Sequence, residues 1–311
     1  MKRFFVLALA LLLSVSATGC MGRAAGPSEP VPAQAAPVSA EEDLPNPEEE
    51  EVPQSQEDGE IPADADVPAE DVPPEEPYVR VIDPTKPMVA LTFDDGPHKT
   101  FTDEILDILE ANHALATFFE VGRNVARYPE PVLRAYEMGC EVASHSYAHR
   151  NLGKMKKNAI LKDLAAADDA FIAAGVPAPT MVRPPYGSVN KAVKSQTGRT
   201  IVTWSIDTED WRSRNAQAVI DNVQGFGNLD GHVVLMHSIY ESTVQAVEVL
   251  VPWLQEQGYQ LVTMTELMAY YYGELPQPDQ LYGYTYFVKN GRTDTPLTLP
   301  GTGAAEEPAA A

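Results

Sequence analysis

The sequence predicts an α/β domain built on a parallel sheet, open or closed as a barrel, over roughly 195 of its 311 residues. Two observations carry the prediction. From Tyr78 onward, short apolar runs alternate with segments of helical periodicity, without any internal repeat. Five of the predicted strands also end in a polar cluster, and in folds of this class chemistry gathers at the carboxyl ends of the strands.

The elements follow in order. Met88 to Phe93 is an apolar run stopped by a turn, the pattern of a buried strand. Thr102 is placed to cap a helix in which Ile105, Leu106 and Leu109 share one face. Ala116 to Val121 reads as a strand and Pro129 to Met138 as a helix. Gly139 closes that helix ahead of a strand from Cys140 to Ala143. A helix from Ala159 to Ala174 ends at Gly175. Further strands fit Met181-Val182, Thr200 to Ile206, His232 to His237 and Gln260 to Thr263, with helices at Ala216 to Val223 and Thr243 to Gln257.

Composition divides the rest of the chain. The formal net charge is −23, so the overall basic footprint of a nucleic-acid binder is missing. Residues 21–77 hold 17 carboxylates against one base, Arg23, and contain twelve prolines and no aromatic residue. Such a stretch cannot bury enough apolar surface to offset the entropy of ordering, and it is expected to be a disordered, self-repelling linker. Residues 1–20 have a basic start, an apolar run from Phe4 to Leu13 and small residues ahead of Cys20, the layout of a secretory signal. The segment resembles a bacterial lipoprotein signal with Cys20 as the acylated residue, although Ala17 stands where that pattern has Leu. An ordinary cleaved signal and an uncleaved anchor are the alternatives, and all three place residues 78–311 outside the cytoplasmic membrane. Near the other end, Leu299-Pro300-Gly301-Thr302-Gly303 spells a wall-sorting motif without the apolar stretch and basic tail that such a signal needs, so the chain from Leu299 is expected to be flexible; within the C-terminal tail, 273–311, the stretch from Gly273 to Tyr286 carries Tyr282, Tyr284 and Tyr286, aromatic enough to pack on the domain. Two cysteines, Cys20 and Cys140, are too few for a disulfide framework.

The clusters at the strand ends carry the candidate chemistry. Thr92-Phe93-Asp94-Asp95-Gly96-Pro97 sets two carboxylates side by side. Adjacent side chains on a strand point to opposite sides, so one acid is free to bind a metal while the other handles protons; ordinary turn chemistry is the alternative. In Ser144-His145-Ser146-Tyr147-Ala148-His149, two histidines four apart share a face if the segment is helical. Two imidazoles and a carboxylate make three protein ligands and leave an open position, the pattern of a catalytic rather than a structural metal site. Val182-Arg183-Pro184-Pro185-Tyr186-Gly187 offers an arginine fork ahead of a stiff turn. Trp204 to Trp211 mixes indoles with the acids Asp207, Glu209 and Asp210, and Val233 to Ser238 ends a strand in His237. His98, His113 and His232 have no such company and read as surface or core residues.

Taken in order, these five blocks resemble the polysaccharide deacetylases, the NodB-homology or carbohydrate esterase family 4 group, over about residues 80–272. The resemblance implies a distorted barrel and a divalent metal, usually zinc, with cobalt or another divalent ion as an alternative. It implies Asp94 as general base, Asp95, His145 and His149 as metal ligands, and Arg183 as the residue that holds the base. The Tyr186 backbone amide is implied to bind an oxyanion, Trp211 and Leu235 to wall an acetyl pocket, and Asp210 to tune His237, the general acid.

The partner expected from this resemblance is an acetylated polysaccharide, with the membrane reached through the N-terminal lipid or signal anchor. The polymer is inferred from the address. A 57-residue acidic tether reaches on the order of 100–180 Å at about 3 Å per residue, into a cell wall, which favours N-acetylglucosamine of peptidoglycan. Chitooligosaccharide or exopolysaccharide deacetylation and O-acetyl esterase activity on xylan remain alternatives, and a catalytically dead glycan-binding scaffold is a more distant one.

Overall fold

The computed structural model describes residues 80–297 together with 299, 303 and 304; the leader, Cys20 and the acidic linker lie outside the described residues. The chain enters through β1 (Val81–Ile82) and runs into β2 (Met88–Asp94), which is buried at every position. Side chains alternate along a strand. Val89, Leu91 and Phe93 accordingly pack into one core, and Met88 and Ala90 into another. Thr92 and Asp94 share the parity of Met88 and Ala90, so the barrel interior receives them.

From β2 the chain continues through α1 (Phe101–Ala111), β3 (Thr117–Glu120), α2 (Gly122–Arg127), α3 (Pro129–Glu137) and β4 (Glu141–Ser144). It goes on through α4 (Lys157–Ala173), β5 (Met181–Val182), α5 (Lys191–Lys194), β6 (Thr200–Val202), β7 (Ile206–Asp207), α6 (Asp210–Ser213) and α7 (Ala216–Gln224). The last stretch holds β8 (His232–His237), α8 (Glu241–Glu256), β9 (Gln260–Leu261), α9 (Met264–Glu266), β10 (Leu281–Tyr282), α10 (Tyr284–Lys289) and β11 (Gly303–Ala304). Among the described residues no helix is long and apolar enough to cross a membrane.

The main sheet runs β10-β6-β5-β4-β3-β2-β8-β7 with β9 paired to the start of β2, and these pairs are parallel. β6 and β7 are separated by residues 203–205 only, yet stand six strand spacings apart, about 29 Å in a flat sheet. Four Cα steps span at most about 14 Å, so the sheet must curl. It forms a half-barrel whose open seam is crossed by this short segment: Thr203 N–H donates to Tyr282 O of β10 on one side, and Ser205 N–H to Val233 O of β8 on the other. The single strand expected over Thr200 to Ile206 is therefore two, because its halves belong to opposite edges.

Register brings the strand ends level. Asp94 lies opposite both Phe119 and His237, Glu120 opposite Ser144, Ser144 opposite Val182, and Asp207 opposite Leu235. Outside the sheet, Ile105, Leu106 and Leu109 of α1 pack with residues of α7 and α8. Inside, Val262, Met264, Leu267 to Tyr271, Tyr282 and Phe287 fill the barrel.

Two local expectations change. Thr102 does not cap α1; it lies within the helix, where its Oγ1 accepts from His98 N–H and donates to Ser238 O. The helix start is held instead by His98, whose Nδ1 accepts from the amides of Thr100 and Phe101. Gly273 to Tyr286 packs on the domain through Tyr282 and β10, which extends the sheet; Thr293 and Leu297 then donate to the carbonyls of Tyr271 and Ala269, and in the segment expected to be flexible β11 pairs with β1.

Candidate metal centre and catalytic site

Asp94 ends β2 and is 2 % exposed. Its Oδ1 accepts from Arg183 Nη1 at 2.7 Å, and the same Nη1 donates to Thr92 Oγ1 at 2.8 Å. Arg183 is fully buried, with its guanidinium 3.9 Å from the Phe119 ring centroid and 5.8 Å from that of Trp204. A buried charge held this tightly fixes one oxygen of Asp94 and leaves Oδ2 facing inward, 3.7 Å from His145 Nε2.

Asp95 departs from the expected strand alternation. Its φ of 71° lies outside the strand region and turns its carboxylate back, so both acids serve one site. Asp95 Oδ1 lies 3.0 Å from His149 Nε2 and 3.5 Å from His145 Nε2, and its Oδ2 lies 3.9 Å from His237 Nε2. Burial opposes its charge, but the surrounding imidazoles of His149, His145 and His237 hold the carboxyl well below its usual range. The segment from His145 to His149 is not helical. Positive φ values at Ser146 and His149 bend it, and the two rings converge to 5.0 Å by that route. His145 Nδ1 is held by Arg183 O at 2.7 Å, so its Nε2 faces the acids, and burial keeps this imidazole below its ordinary pKa despite Asp94 and Asp95.

His237 ends β8 beside them. Asp210, at the start of α6 and fully buried, accepts from His237 Nδ1 at 2.8 Å, His237 N–H at 2.7 Å, Thr243 Oγ1 at 2.8 Å and Trp211 N–H at 2.8 Å. Burial by itself would lower the His237 pKa. The hydrogen bond and charge of Asp210, joined by the charges of Asp95 and Asp94, override it and raise the group to about 9.

The remaining predicted residues ring this centre. Tyr186 takes a left-handed φ of 63°, is 55 % exposed, and sets its ring 4.9 Å from that of His149. Leu235 is buried in β8, and Trp211 is 43 % exposed on α6. Sequence reasoning overlooked several neighbours. Thr92 and Thr243 anchor Arg183 and Asp210, and Asn124 Nδ2 donates to the Asp95 carbonyl at 2.8 Å. Glu120, at the end of β3, is buried with both carboxyl oxygens lacking a hydrogen-bond partner. Burial and the nearby charges of Asp94 and Asp95 push it well above the carboxylate range. A Cβ at Gly96 would fall 2.6 Å from Glu120 Oε2 and 2.3 Å from Ser238 Oγ, so that turn accommodates only glycine. The signal available for Glu120 was a lone acid in the otherwise apolar run Ala116 to Val121.

A donor atom from each of Asp95, His145 and His149 lies within 4.8 Å of the other two. The buried Asp95 Oδ1 lacks a well-directed hydrogen bond, and His145 is oriented through its second nitrogen. One carboxylate and two imidazoles suit a divalent ion with open coordination positions, and the fixed outer nitrogen is the support such ligands use.

A family model described as polysaccharide deacetylase matches residues 82–202. The peptidoglycan-N-acetylglucosamine deacetylase PgdA of Listeria monocytogenes is 40 % identical over 205 residues, covering 66 % of this chain and 42 % of that protein. A peptidoglycan-N-acetylglucosamine deacetylase of Bacillus cereus is 34 % identical over 189 residues, covering 58 % of this chain and 68 % of its own length. Among solved structures, the peptidoglycan deacetylase PdaC of Bacillus subtilis matches with a TM-score of 0.59 and 38 % identity, covering 61 % of this chain and 93 % of that one. The chain spans about two-fifths of the length of the first curated relatives it matches.

Proposed function

Because the chain belongs to the polysaccharide deacetylase family, we propose that it hydrolyses acetyl groups from N-acetylated cell-wall glycan, with N-acetylglucosamine units of peptidoglycan as substrate. The observation that carries the reading is a pair of proton-handling groups with separate supports on one centre: Asp94 fixed by Arg183, and His237 fixed by Asp210.

Asp95, His145 and His149 would hold a divalent ion, zinc being the one this donor set favours. Bound there, the ion supplies positive charge that polarises an acetyl carbonyl and makes water more acidic. The residues do the rest. Asp94 Oδ2 faces the centre and accepts the proton of the attacking water. The Tyr186 backbone N–H, turned by its left-handed conformation, donates to the oxygen on which charge develops. His237 Nε2 gives its proton to the departing sugar nitrogen, while Asp210 holds Nδ1 and stabilises the imidazolium beforehand. Trp211 and Leu235 close around the acetyl methyl.

The N-terminal readings complete the proposal. Residues 1–20 are a secretory signal with Cys20 as lipid attachment point, 21–77 a tether and 78–272 the catalytic domain, acting in the cell envelope. The test is acetate release by the full chain, stripped of metal and reloaded with zinc, on N-acetylglucosamine oligomers, peptidoglycan and acetylated xylan, beside Asp94→Asn. Zinc-dependent release that Asp94→Asn reduces by about three orders of magnitude supports the mechanism. Preference for xylan would reassign the protein as an O-acetyl esterase, and no release from any polymer with metal bound would favour a scaffold.

A further inference from the structure

The acid that protonates the departing nitrogen must lie against the sugar, so on the deacetylase reading the glycan passes over His237. Beyond His237 is a cleft of about 460 Å³ walled by Phe101, Tyr240, Glu241, Gln245 and Arg214. The Tyr240 ring lies 5.8 Å from that of His237. The Arg214 guanidinium carbon lies 3.3 Å from the Tyr240 ring centroid, and Arg214 Nε donates to Trp211 O at 2.9 Å. Arg214 takes a left-handed φ of 48° where α6 ends, an unfavourable conformation for an arginine. Ring, carbonyl and backbone turn together hold one cation at the rim of the centre. Among the described residues no carboxylate comes within 4.0 Å of it, whereas Arg212, two residues earlier, is paired with Glu209.

We infer that Arg214 binds a carboxylate carried by the glycan next to the reacting unit, so that the cleft selects anionic peptidoglycan over neutral N-acetylglucosamine polymers. The planar fork of arginine matches a carboxylate, and Phe101 and Tyr240 add aromatic surface to the cleft wall. Two sources have this chemistry: the lactyl group of a neighbouring muramic acid unit, and the stem peptide attached to it. Glu241 lines the same cleft and repels an anion, which confines the carboxylate to the Arg214 side.

The inference rests on the deacetylase reading, and the experiment separates the two. Full-length wild type, Arg214→Gln, Arg214→Lys and Glu241→Gln are loaded with zinc. Acetate release is measured on neutral N-acetylglucosamine tetramer, on glycan strands with stem peptides, and on strands freed of peptide; binding of each is titrated in parallel. The quantity read is kcat/KM on strands divided by kcat/KM on tetramer. Arg214→Gln is expected to lower it about tenfold, the loss of one charge-assisted contact. Arg214→Lys should fall between, Glu241→Gln should raise the ratio severalfold, and added salt should shrink the wild-type preference. An effect larger on peptide-free strands assigns the lactyl carboxylate, and one larger on peptide-bearing strands assigns the stem peptide. A ratio unchanged by Arg214→Gln, or lowered by Glu241→Gln, overturns the inference. If wild type releases no acetate at all, the deacetylase reading fails, and the binding titrations alone decide whether Arg214 discriminates anionic strands.

Discussion

Asp210 shows how one side chain sets the protonation of another. It has no solvent exposure and accepts four hydrogen bonds, two of them from His237. His237 titrates near 6.5 in an unfolded chain and near 9 in the folded, metal-free one. Its contribution to stability is therefore complete below about 6.5 and is lost as pH rises through about 9. Asp210→Asn keeps the shape of the side chain and removes its charge. In chelator, the melting temperature of wild type should exceed that of the variant most near pH 6, and the gap should narrow toward pH 10. A gap independent of pH between those limits would contradict the coupling. Asp210 and His237 were both legible as polar residues at strand ends. Their partner Thr243 was not, because nothing in the sequence of an amphipathic helix distinguishes a buried threonine that bonds a carboxylate from one that fills space.

At the scale of elements, β6 and β7 show what periodicity misses. Thr200 to Ile206 has strand character along its length, but pairing is decided by which neighbours are within reach, and the curl gives the two ends different ones. The C-terminal segment makes the same point from the other side. Tyr282 and Phe287 join the inner core, and β10 covers the edge of β6. Ending the chain after Glu274 removes both aromatics and bares that edge. Since truncating a buried Phe alone costs about 3–5 kcal/mol, urea unfolding of the shortened chain should show a loss of at least that size, with increased light scattering from the open edge. An unchanged unfolding midpoint would mean that the segment is an accessory to a domain already complete at 274.

Across the whole molecule, the centre joins the turn after β2 to the loop after β4, with Asp95 on one and His145 and His149 on the other. A metal bound there ties two separately formed pieces, so it should add to global stability. At a free zinc concentration a hundred times the dissociation constant the gain is about 2.7 kcal/mol, read as a shift in urea unfolding between zinc and chelator. His149→Ala should abolish most of that shift; the same shift in wild type and variant would place the metal elsewhere. By itself the sequence determined the class of fold, most strands and helices, and the residue types at each strand end, because burial periodicity and turn chemistry act over a few residues. Only the tertiary structure decided that Asp94 and Asp95 face the same side, that His145 and His149 meet through a bend instead of a helix, and that Glu120 lies buried behind them. Those outcomes depend on left-handed turns and on strand neighbours distant in sequence, and no local pattern encodes which distant segments come to share one end of a curled sheet.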